Sequence, residues 1–225
     1  MIPVLVMGRS GAGKTYSIKP FNADEVGVIS VEKGRLPFKS DIKVVKIPSQ
    51  FKDVKDYAAL YRAKYAWLLM AIEKSKAKAI VIDDSQYLLA NELFDRAAEK
   101  GYDKFTQMAA NFRGLIHSIN ESEIEDKIVY FLHHTETDAD GREKAKTIGK
   151  MLDEKLTVEG CFDIVIFCED HKFYTQSNGQ STAKTPEGML DLEIPNDLKA
   201  VDTAIREYYG LTDTNKKEEK KNAKA

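Results

Sequence analysis

The chain lacks the bulk charge that would advertise a polyanionic partner. Its 225 residues carry 34 Lys and Arg against 36 Asp and Glu, with a pI near 6.1, so no global positive field marks it for nucleic acid and any polyanion site must be local. It also lacks an apolar run of the ~18 residues that a membrane-spanning helix needs. The first residues pass straight from an apolar stretch into a glycine loop, leaving no room for the basic and cleavage regions of a secretory signal. A cytoplasmic protein with no membrane partner is expected. Cysteine is scarce: Cys161 and Cys168 lie in one apolar stretch, where a strand would hold them too far apart to bridge and where neither has metal-ligand spacing. Both read as reduced core thiols. There is no internal repeat, and the length suits one α/β domain with ample core.

What is present is an alternation of short apolar runs with longer segments of helical period, the pattern that builds parallel sheets through βαβ crossovers. Strands are expected at 2–7, 26–31, 42–47, 79–83, 127–133 and 162–168. Residues 50–77 carry Val54, Tyr57, Ala58, Tyr61, Tyr65 and Leu68 at a period near 3.6, which favours a long amphipathic helix. Two more helices are expected at 85–98 and 103–120, separated by Gly101, and HKFYTQ after FCED suggests an antiparallel edge hairpin. Pro195 and Asn196 mark the start of a last helix over 196–209. The core is expected to span 1–211, with 212–225 a disordered charged tail that has no apolar anchor.

The chemistry begins at residues 7–20, MGRSGAGKTYSIKP, where Gly8, Gly13, Lys14 and Thr15 fit G-x-x-x-x-G-K-[ST] directly after an apolar strand. A loop that wraps phosphate needs backbone N–H groups pointing inward, and only glycine tolerates the dihedrals and close approach involved. The candidate nucleotide-binding turn is Gly8, Arg9, Ser10, Gly11, Ala12, Gly13, Lys14, Thr15 and Tyr16. A helix starting near Gly13 would add its positive dipole end. Lys14 would reach the β- and γ-phosphates, and the Thr15 hydroxyl would coordinate magnesium. Pro20 limits that helix to little more than two turns.

Two strand ends add acids. AIVIDDSQYL places Asp83 at the carboxyl end of an apolar strand, where a P-loop NTPase holds magnesium. Asp84 either aids catalysis or caps the following helix together with Ser85. VGVISVEKG puts Glu32 on the same rim, where a carboxylate can orient and deprotonate an attacking water; the bland alternative is a solvated turn residue before Gly34.

These pieces, in this order, resemble the RecA-like core of P-loop ATPases. More narrowly, the chain resembles the short RecA-like nucleotide-binding proteins of phages, a group that includes single-strand annealing ATPases. The resemblance covers most of residues 1–210 and is carried by GRSGAGKT, SVEKG, VIDD, FLHHTET and KTPEGMLDLEIPNDLKAVDTAIREYYG. It implies an α/β, three-layer P-loop NTPase fold with a mostly parallel RecA-like sheet and a C-terminal edge hairpin. It further implies ATP with Mg2+, hydrolysis, and action on single-stranded DNA in phage recombination or replication, in the host cytoplasm and beside other phage recombination or replication proteins. By position it makes His133 or His134 the γ-phosphate sensor; neighbours on a strand face opposite ways, so only one serves, and His134 is the candidate named here.

The segment after that strand corresponds to a mobile loop facing DNA in the RecA-like pattern, and here it carries Arg142, Lys144, Lys146 and Lys150 among acids. Lys184 is the candidate cation for a neighbouring subunit's γ-phosphate in a homo-oligomer. RecA recombinases dock through a segment that precedes the first strand; this chain begins inside its first strand, so an oligomer is expected to use another surface. A basic stretch at 33–64 holds Lys33, Arg35, Lys39, Lys43, Lys46, Lys52, Lys55, Arg62 and Lys64, with Tyr57, Tyr61 and Tyr65 interleaved. Those tyrosines read as a helix face packed on the sheet, with base stacking as the rival. Rival functions are a small nucleoside or nucleotide kinase with 136–150 as a lid, and a nucleotide-gated binding module with little turnover.

Overall fold

The computed structural model describes residues 1–32, 34–48, 56–148 and 157–211. In chain order these form β1 (Ile2–Gly8), a single 3-10 turn (Thr15–Ile18), β2 (Val26–Ser30), β3 (Val44–Lys46), α1 (Tyr57–Lys74) and β4 (Ala79–Asp83). They continue with α2 (Gln86–Asp95), α3 (Asp103–Asn120), β5 (Ile128–Thr137), β6 (Glu143–Ala145), a second 3-10 turn (Val158–Cys161), β7 (Ile164–Glu169), β8 (Lys172–Tyr174), β9 (Glu193–Pro195) and α4 (Leu198–Tyr208). The strands make one sheet in the order β3-β2-β4-β5-β1-β7-β8-β9, with β6 paired to β5. The six strands from β3 to β7 run parallel, while β8 and β9 add antiparallel at one side.

Consecutive apolar residues become strands here because both sheet faces are covered. Leu5, Met7, Ile80, Ile82, Val129, Phe131, Val165 and Phe167 pack with α1, α2 and α3. Their neighbours Val4, Val6, Val81, Tyr130, Leu132, Ile164 and Ile166 pack with Ile18, Phe21 and α4 on the other face. Side-chain alternation thus yields three layers around a mostly parallel sheet, the α/β P-loop NTPase architecture. Among the described residues no helix is long and apolar enough to cross a membrane.

Several expectations shift. The element after the glycine loop is one 3-10 turn of four residues rather than a two-turn helix, so its dipole is that of a single turn. The strand expected to stop at residue 133 runs on to Thr137 and folds back as β6, pairing Thr135 with Ala145 and Thr137 with Glu143. Within the segment expected as an open loop, residues 138–142 are a turn and 143–145 are the returning strand β6, and Lys150 lies outside the described residues. In α1, Asp56 caps the helix by accepting from the Ala59 amide, while residues 50–55 of the expected helix fall outside the described set, as does the tail 212–225. The C-terminal helix is capped by Asp197, which accepts from the Ala200 amide; Asn196, expected at the start, is used elsewhere. Cys161 and Cys168 are both unbridged, but only Cys168 is fully buried.

Candidate functional site

The glycine loop leaves the sheet between β5 and β7, the two strands that flank β1. Gly8 is glycine for a packing reason: a Cβ there would be driven into the backbone carbonyl of Cys168 on β7. Gly11 and Gly13 have φ of 85° and 109°, the left-handed region that glycine enters without strain. The outward carbonyls of the loop are claimed by the C-terminal part of the chain. Ala12 O accepts from the His171 amide at 3.0 Å and from Cys168 Sγ at 3.2 Å, and Gly13 O accepts from Asn196 Nδ2 at 3.1 Å. Carbonyls held outward in this way are what a phosphate-cradling loop requires, while the Ala12 N–H closes the turn on Arg9 O at 3.2 Å.

Lys14 is buried and arches back over the loop, its Nζ donating to Gly8 O at 2.6 Å and Arg9 O at 2.9 Å. Arg9 turns away from the hollow: its guanidinium donates to Glu143 Oε1 through Nε at 3.1 Å and to Thr137 Oγ1 through Nη2 at 3.0 Å. That guanidinium is the main reason the Glu143 carboxyl titrates at about 2, and the contact pins the loop to the β5–β6 ribbon.

Above the loop, the Thr15 hydroxyl donates to Asp83 Oδ1 at 2.9 Å. The parallel register sets Asp83 beside Ser30, at the carboxyl rim where the loop also opens. Asp84 follows with φ 61°, and His134 Nε2 lies 3.2 Å from its Oδ1. Tyr87 meets the His134 ring edge-on at 5.9 Å. Ser10, Gly11, Gly13, Lys14, Thr15, Tyr16, Pro37, Asp84, His134 and His171 enclose a cavity of about 240 Å³. Ser85, the other expected cap, makes no capping bond at α2.

The adjacent histidines separate as strand geometry requires. His134 faces the cavity, whereas His133 is fully buried on the opposite face. There its Nε2 meets Lys146 O at 2.9 Å and its Nδ1 meets Ser85 Oγ at 2.9 Å. Because a carbonyl can only accept, Nε2 carries the proton and Nδ1 is the accepting nitrogen; the single Ser85 hydroxyl proton is shared between Nδ1 and Leu132 O, which lies 3.0 Å from it. Burial, above all, lowers the His133 pKa to about 4.

Glu32 reaches the rim but does not line the cavity; its Oε1 accepts from Asn91 Nδ2 at 2.6 Å. Lys184 is exposed, with its main chain bridged to Val165 of β7. Tyr61 and Tyr65 are core residues at 1% and 6% exposure, so the expected packing face is what forms, and Tyr57 alone of the three is open. Lys33, Lys52 and Lys55 of the basic stretch fall outside the described residues. The sequence did not mark His171, Glu143 or Asn91, and it marked Asn196 only as a helix start; each acts at the site through a contact at least 59 residues away, which local pattern cannot carry.

Thr15 and Asp83 fit magnesium: one hydroxyl and one carboxylate are hard oxygen donors, leaving the remaining positions to phosphate oxygens and water. Among the described residues no group of three or more His, Cys, Asp or Glu could hold a metal ion. No curated protein matches the chain. A family model described as an AAA domain matches residues 2–200, a span running from β1 into α4. With a glycine loop, a buried lysine and a threonine–aspartate pair at one sheet rim, this chain belongs to the AAA domain family and carries a P-loop ATPase domain.

Proposed function

We propose that the protein hydrolyses ATP with Mg2+ and acts on single-stranded DNA in phage recombination or replication. The observation that carries the hydrolytic half is the 2.9 Å bond between Thr15 and Asp83 over the glycine loop. Thr15 and Asp83 would hold the metal, which when bound would supply positive charge to the phosphates. Lys14 exchanges its contacts with the Gly8 and Arg9 carbonyls for phosphate oxygens. Asp84 is the carboxylate that lines the cavity, and it orients and deprotonates the attacking water. His134, paired to Asp84, reads the γ-phosphate. Glu32 is the second candidate for the base and would first have to leave Asn91. The DNA half rests on the resemblance to RecA-like phage proteins, as does a homo-oligomer in which exposed Lys184 serves a neighbouring site. The kinase alternative is weakened because its lid segment 136–150 includes the end of β5 and all of β6, tied down by Arg9 and Glu143.

Phosphate release with and without single-stranded DNA tests both halves. Lys14→Ala is expected to abolish turnover. Asp84→Asn and Glu32→Gln assign the base: the true one spares ATP binding while lowering hydrolysis about a hundredfold or more, and Asp84 is the one expected. Phosphoryl transfer to a nucleoside or monophosphate would replace the hydrolase by a kinase. Release that DNA leaves unchanged, with no mobility shift at low salt, would remove the DNA half.

A further inference from the structure

We infer that the nucleobase is seated on Tyr16, beside His171 and Phe38, and is recognised by stacking rather than through its hydrogen-bonding edge. The inference rests on the phosphate reading of the loop and adds which part of the cavity takes the base. The two flanks of the loop differ in chemistry. On the side of β4 and β5 the cavity wall is Asp84 and His134, a titratable pair suited to the reacting phosphate. The turn after β7, on the other flank of β1, supplies His171, which meets Tyr16 edge-on at 5.7 Å with the planes at 87°. Phe38 crosses Tyr16 in the same way at 5.9 Å and 86°, and Pro37 lines the cavity beside them.

Tyr16 and Thr15 line the same cavity, so a nucleotide whose phosphates sit over the loop shares its hollow with this ring. It is 40% exposed, yet two rings fix its orientation, so an incoming base meets a surface that loses little freedom on binding. Few atoms here are placed to read a base edge. The Tyr16 hydroxyl accepts from Lys19 Nζ at 3.1 Å and keeps one proton to donate, while Asn196 commits its carboxamide N–H to Gly13 O and its Oδ1, though without a partner among the described residues, is buried. Stacking on such a surface favours the larger purine ring and separates adenine from guanine poorly.

Calorimetric titration of the full chain with ATP, GTP, CTP and inorganic tripolyphosphate, each with magnesium, tests this. ATP and GTP are expected to bind within about threefold of each other and CTP about fivefold or more weaker. Tyr16→Ala is expected to weaken ATP about tenfold or more while tripolyphosphate affinity holds, which also certifies the variant's fold; Tyr16→Phe is expected to retain ATP affinity. ATP affinity that survives Tyr16→Ala, or an equal loss for ATP and tripolyphosphate, overturns the seat and leaves the phosphate loop standing. A strong preference for ATP over GTP overturns recognition by stacking. If wild type binds neither ATP nor tripolyphosphate, the phosphate reading falls and the seat falls with it.

Discussion

The neutral His133 makes stability depend on pH in a window that few other groups share. Folded, this imidazole titrates at about 4; unfolded, it returns to about 6.5. A depressed folded value means the contribution is complete above about pH 6.5 and is lost as pH falls toward 4, because only the unfolded chain takes up the proton. The difference of about 2.5 pK units corresponds to about 3 kcal/mol in full, of which about 2 kcal/mol is lost between pH 7 and pH 5. Urea denaturation of wild type and His133→Gln near pH 7, 6 and 5 reads it directly. The variant starts less stable, since it gives up imidazole packing against Phe112 and disturbs the bonds to Ser85 and Lys146. Its loss of stability between pH 7 and 5 should nonetheless be smaller than wild type's by about 2 kcal/mol. The other three histidines are present in both proteins and largely cancel. Equal losses in the two proteins would show that the folded chain protonates His133 readily, and the assignment of a neutral, doubly bonded ring would be wrong.

Two further predictions concern stability. Gly8→Ala must push the Cys168 carbonyl aside and is expected to cost about 2 kcal/mol, a fall of about 4–8 °C in Tm. Gly11→Ala meets open space and bears only the left-handed strain, about 1 kcal/mol and half that fall; scanning calorimetry that ranks the two in reverse refutes the packing role of Gly8. Arg96, 2% exposed, bonds Glu92 at 2.9 Å and Gln107 at 2.7 Å between α2 and α3. Arg96→Met leaves the buried Glu92 carboxylate without its cation, with Asn111 still donating to its Oε1 at 3.2 Å, at a cost of about 3–5 kcal/mol, and adding Glu92→Gln should recover part of it in urea denaturation; no recovery would mean that the two do not act as a pair.

The strands were legible because burial on both sheet faces writes itself as unbroken apolar runs such as IPVLVM and AIVID. The loop and its lysine were legible because phosphate binding constrains near neighbours in the chain. What stayed hidden depends on distant partners. The extension of β5 carries Thr135 and Thr137, which suit a strand, but its pairing with β6 leans on Arg9, more than 120 residues earlier. A three-residue strand such as β9 carries too few residues to show a period. Asn196 looked like a helix cap because Asn commonly is one; only the folded arrangement shows its side chain taken by Gly13 while Asp197 does the capping. Glu32 was placed on the correct rim by its strand, but its rotamer is decided by Asn91 on α2.

The brace on the loop also orders events in time. The carbonyl of Gly13 is held by a side chain 183 positions downstream, and that of Ala12 by the turn that joins β7 to β8. On the ribosome the motif is therefore made well before the groups that brace it, so a chain halted between Thr15 and Asn196 carries every letter of the motif without the side chain that holds its carbonyl.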